Sequence, residues 1–270
     1  ALPWLVPAAD PILRLFVSLG VILAWARSLE ALLGFAPARA LEDWLSFLTY
    51  FFSIGELVFS TDPVEHRRAR AVGLRRLLRG LGKGALLLFC FALSTAEPQL
   101  HAYWPTHYLW CLFAAYFAAS GLVDLLTGVG MLITGHQAGE IFDCPHLASS
   151  PRDFWSRRWN RMFRNAAHRL VFTPLGGAKR PLLAVGGVFL VSALVHEYIV
   201  LAALGYSRGH MSAFFALHGV TTLGTGVRRS PWPVPRGLDV ACHSAWLLVT
   251  APLFFIPMEQ ILPARDWALW

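Results

Sequence analysis

The chain has 270 residues, of which 56% are hydrophobic and 14% are charged, and its mean hydropathy is +0.52. Soluble domains carry about 25% charged residues, so this composition excludes a fully water-exposed surface and indicates a membrane protein. The net charge of +7 comes without a recognisable soluble nucleic-acid-binding module. We therefore expect membrane lipids, and no nucleic acid, as partners of the basic side chains.

Seven apolar stretches follow one another along the chain. A helix needs roughly 17–25 mainly apolar residues to cross the hydrocarbon core. The stretches predict an all-α polytopic membrane protein, with residues 1–270 as a single membrane domain. They are Ile12–Leu33, Leu41–Ser60, Gly84–Thr95 with its flanks, His107–Thr134, Pro181–Leu204, His210–Gly226 and Asp239–Leu262.

Three segments between these spans hold most of the 23 Lys and Arg residues: Thr61–Lys83, Gly135–Arg180 and Val227–Leu238. With seven spans, all three lie on one membrane face, which the positive-inside rule places toward the cytosol or its organellar equivalent. In the first segment we expect the arginines to set orientation and to contact anionic lipid headgroups.

Most polar side chains inside the spans can be explained by a structural role rather than a catalytic one. We expect Arg14 and Arg27 to extend toward the ends of the first span, and Glu56 and Asp124 to make structural hydrogen bonds. The four cysteines form no Cys-x-x-Cys pair, so we expect neither a disulfide framework nor a thiolate metal site.

The long basic segment, residues 135–180, contains a predicted helix start. Ser150 suits the N-cap, Pro151 the first helical position and Asp153 the acidic position of a capping box. Apolar side chains then recur at helical spacing, with arginines on the other side and Asn160 at the flank. The pattern predicts an amphipathic helix in the interface plane. Its apolar stripe is Trp155, Trp159, Met162, Phe163, Ala166 and Leu170.

The span "PLLAVGGVFLVSALVHEYIVLAAL" contains His196 beside Glu197 and Tyr198. Ionisable groups inside a span are functional candidates, and a desolvated neutral imidazole can accept a proton. A zincin motif fails because Val200 stands where its second histidine belongs. Ser192, four residues before His196, is a weaker candidate nucleophile. We expect His196 to act as a general base on a lipid-soluble substrate.

Three stretches, "IFDCPHLASSPRDFWSRRWN", "LVSALVHEYIV" and "FFALHG", together resemble the wax synthase-like branch of the membrane-bound O-acyltransferase superfamily. The resemblance implies a multi-helix fold around a reaction chamber, which acyl-CoA enters from the cytosolic face and a lipid alcohol from the bilayer. Seven spans are few for this superfamily, so we expect N-terminal helices to be missing from a chain that begins at Ala1.

Residue by residue, the resemblance implies that His196 is the catalytic histidine and Asn160 the motif asparagine. Glu197 and Tyr198 complete the histidine motif, while His218 and Trp159 are supporting residues. The chemistry agrees, because ester formation from a thioester needs a base for the alcohol proton and a donor toward the oxyanion.

We therefore expect an acyl-CoA-dependent O-acyltransferase that esterifies a long-chain alcohol, a sterol or a similar lipid hydroxyl. Acyl-CoA is the co-substrate, with no cofactor and no metal, and three arginines are candidates for its phosphates: Arg157, Arg158 and Arg161. The alternatives are a catalytically silent subunit that scaffolds a larger membrane complex and a transporter with a His/Glu proton relay. The expected location is the endoplasmic reticulum membrane, with a plastid or mitochondrial membrane as the alternative.

Overall fold

The computed structural model describes residues 2–227 and 235–262, so most of the predicted basic segment Val227–Leu238 lies outside the described residues. The α-helices of the described residues are α1 (Pro11–Leu32), α2 (Trp44–Phe52), α3 (Pro63–Ala96), α4 (Trp104–Thr134), α5 (Pro151–Asp153), α6 (Arg161–Ala167), α7 (Pro181–Leu204), α8 (His210–Val227) and α9 (Arg236–Ile261). Short 3-10 helices cover Leu2–Leu5, Ala38–Leu41, Pro98–His101, Pro145–Leu147 and Gly177–Lys179, and π-helical turns cover Phe154–Arg158 and His168–Phe172. Two strands, β1 (Leu57–Val58) and β2 (Gln137–Ala138), pair antiparallel.

The helices confirm the predicted all-α class of membrane protein. Within the described residues, α1, α3, α4, α7 and α9 are long and apolar enough to cross a membrane by length and composition. The count of seven spans and the interfacial helix are not confirmed. The predicted span Leu41–Ser60 is not one helix, because α2 has nine residues, about 14 Å at 1.5 Å per residue, and the strand β1 follows it.

The first predicted basic segment, Thr61–Lys83, is helical rather than a loop. Asp62 caps α3, Pro63 begins it, and its arginines lie along its first half, with Lys83 one turn further on. The 34 residues of α3 extend about 51 Å, well beyond a hydrocarbon core of about 30 Å. One helix is therefore long enough to contain both the basic segment and an apolar segment that could cross the hydrocarbon core.

Large apolar side chains cover the outside of the long helices. Leu88 in α3, Ile133 in α4 and Leu182 in α7 have exposed fractions of 71%, 73% and 74%. Soluble monomers rarely expose contiguous apolar surface on this scale. The exposed side chains are the ones that a membrane protein presents to lipid.

The chain divides into two compact units, a central unit of residues 27–143 and a terminal unit of residues 1–26 and 144–270. In the central unit, α3 and α4 are joined by the 3-10 helix Pro98–His101 and pack closely. A Cβ atom at Gly80 would lie 2.9 Å from Leu125 N, and one at Gly128 would lie 2.9 Å from Gly73 O. Glycine thus allows close backbone approach, as is common between membrane helices.

Buried charges of the central unit are paired. Asp124 of α4 accepts hydrogen bonds from Arg79 Nε at 2.8 Å and Lys83 Nζ at 2.7 Å. Arg27 binds Glu30 at 3.0 Å and donates to Gly55 O at 2.9 Å. These partners offset the cost of burying the ions.

The terminal unit is built on α7, α8 and α9, which surround an apolar core. Arg14 is buried near this core and donates to Val6 O at 2.9 and 3.1 Å. Carbonyl or carboxylate partners thus bind the guanidinium groups of both Arg14 and Arg27, and the expectation that these side chains extend toward the ends of the first span stays a prediction. The core residues are Leu15, Phe189, Ala193, Ile199, Val200, Ala203, Met211, Phe214, Phe215 and Ile261.

Candidate active site

The first motif stretch, residues 141–160, contains the predicted helix cap at Ser150. Ser150 Oγ accepts the Asp153 N–H at 3.1 Å, and Asp153 Oδ2 accepts the Ser149 N–H at 3.2 Å. Pro151 occupies the first turn, where its missing N–H costs nothing. The predicted N-cap is confirmed, although the acid bonds to Ser149 rather than to the cap residue itself.

The predicted continuous amphipathic helix is broken at Asn160. A π-helical turn ends at Arg158, and Asn160 adopts the left-handed conformation, with φ 42° and ψ 62°, before α6 begins. Its side-chain oxygen accepts the Phe163 N–H at 3.2 Å and so caps α6. Asparagine suits both roles, because it tolerates the left-handed region and caps helix N-termini.

Trp155 anchors this segment in the core of the terminal unit. Its Nε1–H donates to His218 Nδ1 at 3.1 Å, and its ring packs against Phe189 and Phe215 with centroids 5.8 Å away in each case. His218 is fully buried, and its Nε2 lies 3.0 Å from Thr250 Oγ1 of α9. One imidazole therefore joins the motif segment to α8 and α9.

His196 lies in the same aromatic cluster. Its ring centroid is 4.5 Å from that of Phe215 and 6.0 Å from that of Phe254. Its Nδ1 lies 2.7 Å from Ser192 O, one turn earlier in α7. The Ser192 hydroxyl itself donates to Val188 O at 2.9 Å, so it is bound to the helix backbone rather than to the imidazole.

Glu197 and Tyr198 point to partners other than the His196 ring. The Glu197 carboxylate accepts the Ser212 N–H at 2.8 Å and a hydrogen bond from the Ser207 hydroxyl. It therefore stabilises the N-terminus of α8, where an anion is favoured. Tyr198 makes an edge contact with Trp4, with centroids 5.8 Å apart. Both residues secure the α7 end of the terminal unit.

The three arginines predicted to contact acyl-CoA differ in their surroundings. Arg158 donates from Nε to Asp153 Oδ2 at 2.7 Å and from Nη1 to Cys144 O at 3.3 Å. Its side chain is 16% exposed, and its two hydrogen bonds connect parts of the motif segment. Arg157 is exposed, and Arg161 is half-buried at the start of α6.

The charge of Arg158 also affects its acidic partner. Burial on its own would raise the pKa of Asp153, but the hydrogen bonds from Arg158 and Ser149 N–H and the charges of Arg158 and Arg157 outweigh it. The pKa of Asp153 therefore lies below its usual value.

Of the predicted site residues, the structure brings His196 and His218 into one cluster, which they share with Trp155 and Phe215. The Asn160 side chain bonds to Phe163, and the Trp159 ring stacks on Phe154 with centroids 5.4 Å apart. Sequence reasoning placed Trp155 on an apolar stripe and missed its bond to His218. An indole N–H needs a partner when buried, which is the signal that favours such a pairing.

The comparisons with known proteins agree with the sequence motifs. Residues 138–217 match the model of the membrane bound O-acyl transferase family. The chain is 30% identical over 186 residues to a probable long-chain-alcohol O-fatty-acyltransferase 2 of Arabidopsis thaliana, an alignment that covers 64% of this chain and 54% of that protein. It is 31% identical over 129 residues to an acyl-CoA–sterol O-acyltransferase 1 of Arabidopsis thaliana, covering 43% of this chain and 37% of that protein.

A long-chain-alcohol O-fatty-acyltransferase of Simmondsia chinensis is 36% identical over 129 residues, covering 43% of this chain and 37% of that protein. The chain spans about half the length, or less, of the curated relatives it matches. The matched segment contains the first two motifs and most of the third. The comparisons thus agree with the resemblance of this chain to the wax synthase-like branch of the membrane-bound O-acyltransferase superfamily.

Proposed function

We propose that the protein is an acyl-CoA-dependent O-acyltransferase in which His196 is the general base. The observation that carries this role is the 2.7 Å contact between His196 Nδ1 and Ser192 O. A carbonyl oxygen only accepts hydrogen bonds, so Nδ1 carries the proton of the neutral imidazole. The lone pair is then on Nε2, which is the atom that a general base needs.

In the proposed reaction, the acceptor hydroxyl attacks the thioester carbonyl of acyl-CoA and its proton passes to His196 Nε2. Collapse of the tetrahedral intermediate breaks the carbon–sulfur bond, and the imidazolium returns the proton to the CoA sulfur. The products are an ester and free CoA. Acyl-CoA supplies the activated acyl group, so we propose no cofactor for this step.

The developing oxyanion needs a hydrogen-bond donor, and we assign this role to Asn160. Its amide oxygen accepts the Phe163 N–H, which fixes the orientation of the side chain and leaves the amide NH₂ group for donation. Preorganised donors of this kind contribute about 2.7–4 kcal/mol to the stabilisation of an oxyanion. The backbone turn at Asn160 supports the assignment, because unusual conformations of non-glycine residues cluster at functional sites.

The names of the relatives support a lipid alcohol as the acceptor. Those proteins are described as acyltransferases of long-chain alcohols and of sterols, so the proposed substrate class is a long-chain alcohol or sterol hydroxyl. Arg157 and Arg161 are the proposed contacts for CoA phosphates, while Arg158 is bound to Asp153. We propose the endoplasmic reticulum membrane as the location.

The test is acyl transfer by the purified full-length protein, with labelled acyl-CoA and a panel of long-chain alcohols and sterols. Removal of a general base costs about 10²–10⁴-fold in rate, so we expect a loss of this size in His196→Ala. Ser192→Ala is the matched control, because its hydroxyl bonds to Val188 O and its carbonyl remains, so its activity should match the wild type. Wild-type inactivity across the panel, or full activity of His196→Ala, would contradict the proposal.

A further inference from the structure

A chain of four polar side chains lies where α3 meets α4 in the central unit. Ser94 is in the last turn of α3, His101 in the connecting 3-10 helix, and His107 and Cys111 in α4. Ser94, His107 and Cys111 have exposed fractions of 5%, 3% and 4%. None of the four belongs to the motifs of the proposed acyl transfer.

The two members of this group that lie in α4, His107 and Cys111, bring a ring nitrogen and a sulfur atom close together. His107 and Cys111 are four residues apart, so they lie on the same face of the helix. Cys111 Sγ is 3.7 Å from His107 Nε2. Imidazole nitrogen and thiolate sulfur are both preferred ligands of Zn²⁺.

The separation of these two atoms fits one coordination geometry. With Zn–S of about 2.3 Å, Zn–N of about 2.0–2.1 Å and a tetrahedral angle, the two ligand atoms lie about 3.5–3.6 Å apart. A linear two-coordinate ion with similar bond lengths would need about 4.3 Å. The observed 3.7 Å is within about 0.2 Å of the tetrahedral value.

The other ring nitrogen of His107 has a hydrogen-bond partner that would orient it as a ligand. His107 Nδ1 lies 2.8 Å from His101 Nδ1, and His101 Nε2 lies 2.6 Å from Ser94 Oγ. The His101 ring is further fixed by an edge contact with Trp110, with centroids 5.2 Å apart. Metal-binding histidines use their second nitrogen in this way, which fixes the tautomer and the direction of the ligating nitrogen.

We propose that His107 Nε2 and Cys111 Sγ bind a tetrahedral Zn²⁺ ion, with His101 and Ser94 as positioning residues. The Cys111 thiol loses its proton to solvent when the thiolate–zinc bond forms, and water completes the coordination from outside the pair. Both ligands belong to α4, and the hydrogen bonds through His101 to Ser94 link the site to the last turn of α3. The site is independent of the acyl transfer proposed for His196.

The experiment is a Co²⁺ titration of the purified full-length protein in detergent, followed by the thiolate-to-metal charge-transfer absorption. The wild type should develop this band, and added Zn²⁺ should abolish it. Cys111→Ser should lose the band. A variant in which Cys90, Cys144 and Cys242 are all serine should keep it, which assigns the sulfur ligand.

The positioning residue gives a second, graded readout. His101→Phe should keep the band but weaken the apparent Co²⁺ affinity by about 10–100-fold, the usual effect of removing a partner of a ligating histidine. The absence of a charge-transfer band in the wild type, or an unchanged band in Cys111→Ser, would overturn the site. Unchanged affinity in His101→Phe would remove the positioning role. The acyl-transfer activity of Cys111→Ser should also be measured. We expect this activity to persist, because Cys111 is not part of the proposed acyl-transfer site.

Discussion

The Trp155 Nε1–H donates to His218 Nδ1 across 3.1 Å, which determines the protonation pattern of a fully buried imidazole. Indole nitrogen is a donor only, so Nδ1 of His218 must accept. Its Nε2 then carries the proton and donates to Thr250 Oγ1, whose hydroxyl donates to Trp246 O at 2.9 Å. His218 is thus neutral with both nitrogens bonded, which fits a positioning residue rather than a proton carrier.

This pairing predicts coupled stability effects of Trp155 and His218. His218→Leu leaves the indole N–H of Trp155 buried without its acceptor, at a cost of about 1–3 kcal/mol. Residues in direct contact usually show coupling energies of about 0.5–3 kcal/mol, so Trp155→Phe should cost less in the His218→Leu background than in the wild type. Denaturant unfolding of both single variants and the double variant in detergent measures this difference. Additive effects would contradict the proposed bond.

Arg157 and Arg158 are neighbours in sequence with different expected roles. Arg158→Ala removes the bonds to Asp153 and Cys144 O, so it should lower the free energy of unfolding by about 1.5–3 kcal/mol. Arg157→Ala should change stability by less than about 0.5 kcal/mol, because its side chain is exposed. Under the proposed function, Arg157→Ala should instead raise the KM for acyl-CoA. Thermal unfolding and steady-state kinetics separate the two effects, and equal stability losses would contradict the assignment.

The Asp153 carboxylate predicts a pH dependence of stability. Its pKa is lowered in the folded protein, because the effect of burial is outweighed by the hydrogen bonds from Arg158 and the Ser149 N–H together with the charges of Arg158 and Arg157. A lowered pKa gives stability that is present above the unfolded value of about 3.9 and is lost as the pH falls through the folded value. Asp153→Asn should therefore reduce the slope of unfolding temperature against pH below about pH 4. An unchanged slope would argue against this ion pair in solution.

Two nearby glycines of α3 predict opposite effects of the same substitution. A Cβ atom at Gly80 would lie 2.9 Å from Leu125 N and 3.0 Å from Gly121 O, whereas one at Gly82 would have open space around it in the part of the chain that the structure describes. Gly80→Ala should therefore destabilise the α3–α4 pair by about 1–3 kcal/mol. Gly82→Ala should stabilise the helix by about 0.5–1 kcal/mol. Unfolding of the two variants gives the sign of each change, and matching signs would contradict the packing.

The sequence predicted the helices best where an uninterrupted apolar run has clear ends. Pro181–Leu204 was predicted with the bounds it has in the structure, because Pro181 begins the helix and Gly205 ends it in a left-handed conformation. Leu41–Ser60 was misjudged, since hydropathy averages over the short helix α2 and the following strand β1 without registering the change of backbone.

In the candidate site, local sequence patterns missed a break in a helix and a contact between distant residues. Helical periodicity continues from Trp155 across Asn160 to Met162, because helical turns stand on both sides of a single left-handed residue. The bond from Trp155 to His218 joins residues 63 apart in sequence, a pairing that no local pattern contains. The His107–Cys111 pair does have a sequence signal, because a spacing of four places both residues on one face of a helix. A pattern of paired cysteines does not include it.

Asn160 contributes an amide side chain and a left-handed backbone conformation. Two different substitutions can separate these contributions. Glycine adopts φ 42° without strain, so Asn160→Gly keeps the course of the chain and deletes only the amide. Alanine deletes the amide and also penalises the backbone, by about 1–2 kcal/mol. If Asn160 donates to the oxyanion, the two variants should lose similar activity but differ in unfolding temperature. Glycine scanning, rather than alanine scanning, is thus the cleaner measure of side-chain chemistry at this position.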